Sequence, residues 1–381
     1  MSAFGWLPAK ITGPSPGTFS RPTTSTRRKN VFVIVRISVL ISRWSIAFLR
    51  FWVGSDHFAV YRLLLSNAPM FPEPRTVATN GLEMAVFEQG EGAPVILLHG
   101  FPELAFSWRH QLPALADAGF RAIALDQRGY GRTTVPPDVS DYRMSELIAD
   151  IHGLLDALEL ESAVFIGHDW GALILWQMAM LAPARVDKMV ILNIPHYPRL
   201  PIDPIAAMRE RFGDDFYIVN FQDSDEADRT FSADTRHFIN RMMRKNQVTR
   251  EQFEKLPPQH QVVSLLRAVG SEHASGEALL NAAELDYYAD AFSRSGLTGP
   301  INWYRNWTHN WEQLAGVSQQ IDIPTLFIGA MNDVLIGLQY IEGMKPLVSN
   351  LTIHMLEDCG HWTQQEKPDE VNRLIIDWLL P

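Results

Sequence analysis

The chain of 381 residues is nearly without cysteine, with Cys359 as its one thiol. That excludes a disulfide framework within the chain and a cysteine-built metal centre, and it suits a reducing compartment. Acids are missing from the start: residues 1–69 hold nine Lys and Arg against Asp56 alone. The remainder is short of positive charge, with 24 basic and 42 acidic residues. A body of that sign repels phosphates, which excludes nucleic acid as a partner and points to a neutral ligand. Internal repeats are absent, and so are low-complexity stretches after residue 70.

An uncharged membrane span is missing too. Residues 31–53, VFVIVRISVLISRWSIAFLRFWV, have the right length but carry Arg36, Arg43 and Arg50. At that spacing the three fall on one helical face. Each central Arg costs about 2.5–3.5 kcal/mol in a bilayer, so a simple span is not expected. Three readings remain: a basic amphipathic helix in weak contact with a membrane surface, a cleaved Arg- and Ser-rich targeting segment, or a stretch ahead of a start at Met70. Residues 12–30, rich in Ser, Thr, Pro and basic groups, read as disordered. Residues 1–70 are therefore expected to be an extension outside the core. The protein is expected in the cytoplasm unless that extension directs it to a membrane or organelle.

What is present is 46% hydrophobic and 20% charged, the composition of a globular protein with a large core. From residue 76 short apolar runs alternate with longer amphipathic ones, the pattern of a mostly parallel sheet with helices on both faces. Strands are expected at VILLHG (95–100), RAIALD (121–126), AVFIGHDWG (163–171, running into a turn), KMVILN (188–193), TLFIGA (325–330) and LTIHML (351–356). Helices are expected at 108–118, 144–158, from the turn that ends 163–171 to about Leu181, near 337–346 and at 368–380. Residues 195–315 break the rhythm, with many charges, aromatic clusters and few strand signals. They read as a mainly helical cap inserted between core segments 71–194 and 316–381.

Gly167-His168-Asp169-Trp170-Gly171 fits a nucleophile elbow, G-x-Nu-x-G, at a strand-to-helix junction. Alone the pattern is weak, because an Asp there also caps helices. Three matches in order strengthen it. His99-Gly100-Phe101-Pro102 follows a strand where hydrolases of this fold place an oxyanion-hole N–H. Asp333 follows TLFIGA, and His361 follows the last strand. Nucleophile, acid, histidine is the chain order of the α/β-hydrolase fold. Asn193, where this fold can place its acid instead, is no carboxylate. Cys359 lies on the wrong loop for the elbow and reads as a small structural residue.

An Asp nucleophile narrows the reaction. An epoxide would convert a serine to an ether, which resists water, but converts a carboxylate to an ester, which hydrolyses. A carboxylate is ionised near neutral pH without help. His361, oriented by Asp333, is then free to activate water for the second step. The resulting oxyanion would lie against the backbone N–H groups of Phe101 and Trp170.

HGFPE (99–103), DQRGYG (126–131), GHDWG (167–171), GPINWYRN (299–306) and EDCGHWTQ (357–364) resemble the soluble epoxide hydrolase family, over about residues 76–380. The resemblance implies a small apolar epoxide and water as substrates, with neither cofactor nor metal. It implies two cap tyrosines holding the epoxide oxygen. Tyr304 matches one, and Tyr217 in DFYIVNFQ matches the other, with Tyr287 and Tyr288 as competitors that the family pattern does not favour. It implies a pocket with His99, Pro102, Trp303 and Trp362, and a cis Phe101–Pro102 bond. Dehalogenases of the same fold share the Asp–His–acid set. Haloalkane dehalogenases, however, carry Asn where Phe101 stands, and fluoroacetate dehalogenases typically carry Arg where Trp170 stands. A non-catalytic receptor on this fold has no need of the whole set.

Overall fold

The computed structural model describes residues 71–380 apart from Asn246, Pro258 and Gln259. The basic extension and its 31–53 segment lie outside the described residues. Among the described residues no helix is long and apolar enough to cross a membrane.

Among the described residues ten strands form: β1 (Arg75–Thr79), β2 (Leu82–Gln89), β3 (Ala93–Leu98), β4 (Phe120–Leu125), β5 (Ala163–His168), β6 (Val186–Leu192), the two-residue β7 (Arg244–Lys245) and β8 (Glu277–Ala278), β9 (Thr325–Ala330) and β10 (Leu351–Leu356). Eight build one sheet in the order β1-β2-β4-β3-β5-β6-β9-β10. β1 and β2 pair antiparallel, as do β2 and β4, and every other pairing is parallel. Residues 95–98, 122–125 and all of β9 are buried. A parallel sheet covered on both faces demands such unbroken apolar runs, which is why these strands were readable in the sequence. The β1–β2 hairpin turns on Asn80 and Gly81, at φ 41° and 75°, as a two-residue loop of the primed type requires.

Around the sheet lie α1 (Gln111–Asp117), α2 (Met144–Ala157) and α3 (Trp170–Leu181). Between β6 and β9 the chain leaves the main sheet for α4 (Pro204–Phe212), α5 (Tyr217–Asp223), α6 (Glu226–Ala233), α7 (Thr235–Met242), α8 (Arg250–Glu254), α9 (Leu265–Gly270), α10 (Ala282–Ser295), α11 (Thr298–Arg305) and α12 (Trp307–Gln313). It then returns through α13 (Leu338–Gly343), α14 (Thr363–Glu366) and α15 (Pro368–Leu379). α15 buries Val371, Leu374, Ile375 and Leu379, the one-sided stripe of an amphipathic helix. The helix expected over 108–118 is split: a 3₁₀ turn at Ala105–Trp108 precedes α1. Pro113 explains the split, since it belongs in a first turn and would clash inside a helix begun at 108.

The sheet's parallel strands all point their C-terminal ends to one edge. β3, β5, β6, β9 and β10 are consecutive neighbours there, and their following loops carry His99 to Phe101, Asp169, Asn193, Asp333 and His361. Ligands of open α/β sheets bind at this edge.

One buried ion pair supports the loop beneath it. Arg128 grips Asp150 with Nε at 2.7 Å and Nη2 at 2.6 Å, and both side chains are nearly covered. Asn80 Nδ2 donates to the same carboxylate at 3.0 Å. We predict that Asp150→Asn lowers stability by about 3–5 kcal/mol, because it strands the guanidinium. Arg128→Met with Asp150→Leu should recover most of that loss. Urea denaturation of the single and double variants checks both statements; an Asp150→Asn loss under 1 kcal/mol would contradict the first.

Candidate active site

β5 ends at His168, and Asp169 turns the chain into α3 at φ 51° and ψ −116°. Such backbone in a residue other than glycine stores strain of order 1–3 kcal/mol. Three glycines make room for it. A Cβ on Gly171 would lie 2.1 Å from the Leu98 carbonyl oxygen, and one on Gly167 would lie 2.7 Å from the Gly171 backbone. One on Gly100 would lie 2.3 Å from Asp169 Cβ. The carboxylate therefore sits directly against the loop after β3, where the Phe101 N–H donates to Asp169 Oδ1 at 2.8 Å. The Phe101–Pro102 bond is cis, as the resemblance implied.

On its other side the carboxylate faces an imidazole. His361 Nε2 is 3.9 Å from Asp169 Oδ2, and His361 Nδ1 donates to Asp333 Oδ2 at 2.8 Å. Asp333 is 2% exposed. Burial works against its charge, but the His361 cation, its hydrogen bond, the Asn193 amide and the Leu335 N–H hold its carboxyl below the ordinary range. Burial likewise works against protonating His361, yet the charge and hydrogen bond of Asp333, with Asp169 and Glu103 behind them, lift it to about 9. Asn193 is no substitute acid but a brace. Its Nδ2 donates to Asp333 Oδ2 at 2.6 Å and to the His361 carbonyl at 3.1 Å, and its Oδ1 accepts from Thr363 Oγ1 at 2.6 Å.

Aromatic rings close the space above. Tyr304, on α11, is 2% exposed and packs on Trp170 at 5.0 Å, Phe101 at 5.3 Å and Phe221 at 5.2 Å between ring centroids. Tyr217 opens α5, with its ring 5.7 Å from that of Tyr304. Both phenols are driven up by burial first, and the negative charge of Asp169 adds to each. Tyr287 and Tyr288 lie elsewhere: both pack on Phe106, at 4.3 Å and 5.7 Å. Carboxylates act on them too, but Asp126 on Tyr287 and Glu103 on Tyr288.

The pocket residues divide. Trp362 stands edge-on to His361 at 4.8 Å and donates its indole N–H to the Met242 carbonyl of α7. Pro102 is buried in the loop after β3. Trp303 is fully covered, donates to the Arg128 carbonyl at 3.1 Å and meets Trp170 at 5.5 Å. His99 is also covered: Nδ1 donates to the Gly100 carbonyl and Nε2 accepts from the Gln127 N–H, while burial takes its pKa down to about 4.

Two residues had no spacing signal in the sequence. Glu103 and His168 are both fully buried and join at 2.6 Å. His168 Nε2 faces the His361 carbonyl at 2.8 Å. Both ring nitrogens thus meet an oxygen atom. Glu103 also accepts from the Gly100 N–H and from the amides of Gln364 and Gln365. Burial opposes its charge, but the His168 cation and these bonds take its pKa down to about 2. The pair braces the loop after β3 on one side and the His361 loop on the other. Among the described residues no group of three or more His, Cys, Asp or Glu is placed to hold a metal ion.

The eight-stranded sheet, the elbow at its C-terminal edge and a match of residues 93–368 to the α/β hydrolase fold family define the class as α/β-hydrolase. Within it, the chain is 40% identical over 322 residues to Epoxide hydrolase A of Mycobacterium tuberculosis, covering 81% of this chain and 97% of that one. The crystal structure of Epoxide Hydrolase A from Mycobacterium thermoresistibile has 39% identity and a TM-score of 0.73, over 81% of this chain and 98% of that one. Epoxide hydrolase VrEH1 from Vigna radiata has 33% identity and a TM-score of 0.73, over 82% and 99%. This chain belongs to the epoxide hydrolase family. Its reaction is the hydrolysis of an epoxide, and the dehalogenase alternative is not favoured.

The closeness of Gly100 to Asp169 yields a test. We predict that Gly100→Ala lowers epoxide turnover by about a hundredfold, the order expected for a reacting group displaced by 1 Å, while the chain stays folded. Turnover with circular dichroism as control checks it; wild-type turnover would show that the contact has slack.

Proposed function

We propose that Asp169 opens the epoxide by attacking a ring carbon, and that His361 with Asp333 then hydrolyses the resulting ester to a vicinal diol. One observation carries the reading. A single carboxylate has one oxygen on the Phe101 N–H at 2.8 Å and the other 3.9 Å from an imidazole that a buried acid orients at 2.8 Å.

In the first step the Asp169 carboxylate forms a C–O bond as the epoxide C–O bond breaks. The opening oxygen takes a proton from the phenols of Tyr304 and Tyr217, contributed by the insertion of residues 195–315 acting as a cap. Burial keeps those phenols protonated, so they donate across the working pH range. Alkylation also consumes the charge of Asp169, one of the influences that keep a proton on His361. The proton it releases restores the phenol, and the neutral imidazole is ready as a base. It draws a proton from water, which attacks the ester carbonyl. The oxyanion is held by the N–H groups of Phe101 and Trp170, and collapse frees the diol and returns the carboxylate. The apolar walls of Phe101, Trp170, Phe221 and Tyr304 suit an uncharged, apolar epoxide.

His361→Gln should consume one equivalent of epoxide and stop as an alkyl-enzyme. Intact-mass and peptide analysis should place the adduct on Asp169. An adduct on Cys359, or continued turnover, defeats the assignment.

The phenols are tested by single-turnover kinetics, which separates alkylation from ester hydrolysis. Tyr304→Phe and Tyr217→Phe should each slow alkylation by roughly ten- to a thousandfold, about 1.4–4 kcal/mol, the range for one lost oxyanion donor. Hydrolysis of the preformed ester should hardly change. Normal alkylation in Tyr217→Phe together with slow alkylation in Tyr288→Phe would move the second donor to Tyr288.

A further inference from the structure

We infer that Arg250, contributed by the helical insertion, is a positioning residue for Asp333, so that the seating of the insertion sets the strength of the His361 base. The inference rests on the reading of Asp333 and His361 as the water-activating pair.

Arg250 is the first residue of α8, whose start is fixed by a capping box between Thr249 and Gln252. Its side chain is only 14% exposed. The part-buried guanidinium makes no hydrogen bond to an acid. It donates to three backbone carbonyls of the loop after β9: Met331 at 2.9 Å, Asp333 at 2.6 Å and Ile336 at 2.7 Å. The Arg250 backbone N–H donates to Asn332 Oδ1 at 3.1 Å. Four bonds from one residue of the insertion thus hold the loop that carries the acid. The nearest carboxylate, Glu254, is 3.8 Å away and largely in solvent.

The same loop is joined to the His361 segment by the Met331 N–H on the Leu356 carbonyl and the Asn332 N–H on the Cys359 carbonyl. Asp333 also spends its own N–H on the Ala330 carbonyl. Its carboxylate must meet His361 Nδ1 within a few tenths of an ångström to orient the ring. The Ile336 N–H meets the Asp333 carbonyl at 3.3 Å, but among the described residues no other side chain binds the carbonyls of both Asp333 and Ile336. A lysine cannot replace the planar fork, because a single ammonium does not span three acceptors in this arrangement.

The consequence falls on one chemical step. The groups whose charges act on His361 are Asp333 first, then Asp169 and Glu103; the Glu366 carboxyl, which feels the His361 charge in turn, accepts from the Gly360 and Trp362 N–H groups on either side of His361, and the His168 ring lies 4.9 Å away. Arg250 touches none of their side chains and acts through the backbone of Asp333. If the loop loosens, His361 loses its main support for a proton and its orientation. Ester hydrolysis suffers, whereas attack by the Asp169 carboxylate does not.

The test uses the full-length enzyme and single-turnover kinetics with a styrene oxide probe, rates being taken per alkylated molecule. In Arg250→Met, ester hydrolysis should slow by about ten- to a hundredfold with alkylation unchanged, so alkyl-enzyme accumulates. The acid limb of the hydrolysis rate should move to lower pH, because His361 gives up its proton more readily. Arg250→Lys should recover only part of the loss, and Glu254→Ala should leave both steps as they are. If Arg250→Met fails to fold, Arg250→Lys and Asn332→Ala carry the same test. Unchanged hydrolysis overturns the inference. So does alkylation falling in step with hydrolysis, or slower hydrolysis with the limb unmoved, since a purely structural loss does that. His361→Gln run in parallel separates the two readings: without an Asp169 adduct there, the site reading itself has failed.

Discussion

The structure turns on one strained residue. Asp169 is held at positive φ between a strand and a helix, and its surroundings are shaped to permit that. The three flanking glycines are not flexible joints; each stands where another backbone or the Asp169 side chain itself leaves no room for a Cβ. The strain is small against the burial around it. α3 alone covers Ile174, Leu175, Trp176 and Met178 beneath the turn, at about 1.5–3 kcal/mol for each large side chain fully buried. The same turn aims one carboxylate oxygen at the Phe101 N–H and the other at His361. A one-residue slip would lose both.

Charge is managed in pairs around this point. Glu103 is matched by His168 and Asp333 by His361, each at hydrogen-bond distance; the first pair is fully buried, and in the second Asp333 is buried and His361 partly so. Buried ions are tolerated only when partnered in this way. Asp169 is the carboxylate without so close a cation: it is 3.9 Å from His361 and otherwise held by one N–H. A carboxylate bound too tightly would be a poor nucleophile. The arrangement pairs Glu103 and Asp333 closely and leaves Asp169 less engaged, as the proposed attack by its carboxylate requires.

Legibility in the sequence followed the range of the forces involved. The buried strands were readable because a sheet covered on both faces requires continuous apolar runs; TLFIGA and LTIHML match β9 and β10 residue for residue. The elbow was readable because its steric needs are local. The β1–β2 hairpin was not singled out, although Asn80-Gly81 carries its turn signal, since β1 alternates only weakly and is largely exposed. The short helices of the insertion were beyond reach: α5, α8 and α9 span only 5 to 7 residues, too few for a helical period to show. The Glu103–His168 pair joins residues 65 apart, and Asn193 reaches Asp333 across 140. No spacing rule predicts such meetings. The resemblance favoured Tyr217 over Tyr288, and the two rings pack apart, Tyr217 toward Tyr304 and Tyr288 toward Phe106.

The phenols belong to the insertion and the carboxylate to the sheet, so the register between them must come from bonds that join the two. The insertion has surface ion pairs, such as Arg236 with Asp286, both more than half exposed; pairs of this kind contribute at most about 1 kcal/mol and fix little. The joining bonds are different in kind. Trp303 donates to the Arg128 carbonyl, the Met144 N–H to Asn310 Oδ1, Trp362 to the Met242 carbonyl and Arg109 to Glu284. All are buried or partly buried, and three of the four use a main-chain atom on one side. Main-chain partners have no rotamers to change, and a buried donor or acceptor left unpaired costs about 1–3 kcal/mol. Lifting the insertion would break several such bonds together. The height of the phenols above Asp169 is therefore set by the backbone of both parts, and a change of substrate is met more readily by altering the ring faces of Phe101, Phe221 or Trp307 than by moving the roof.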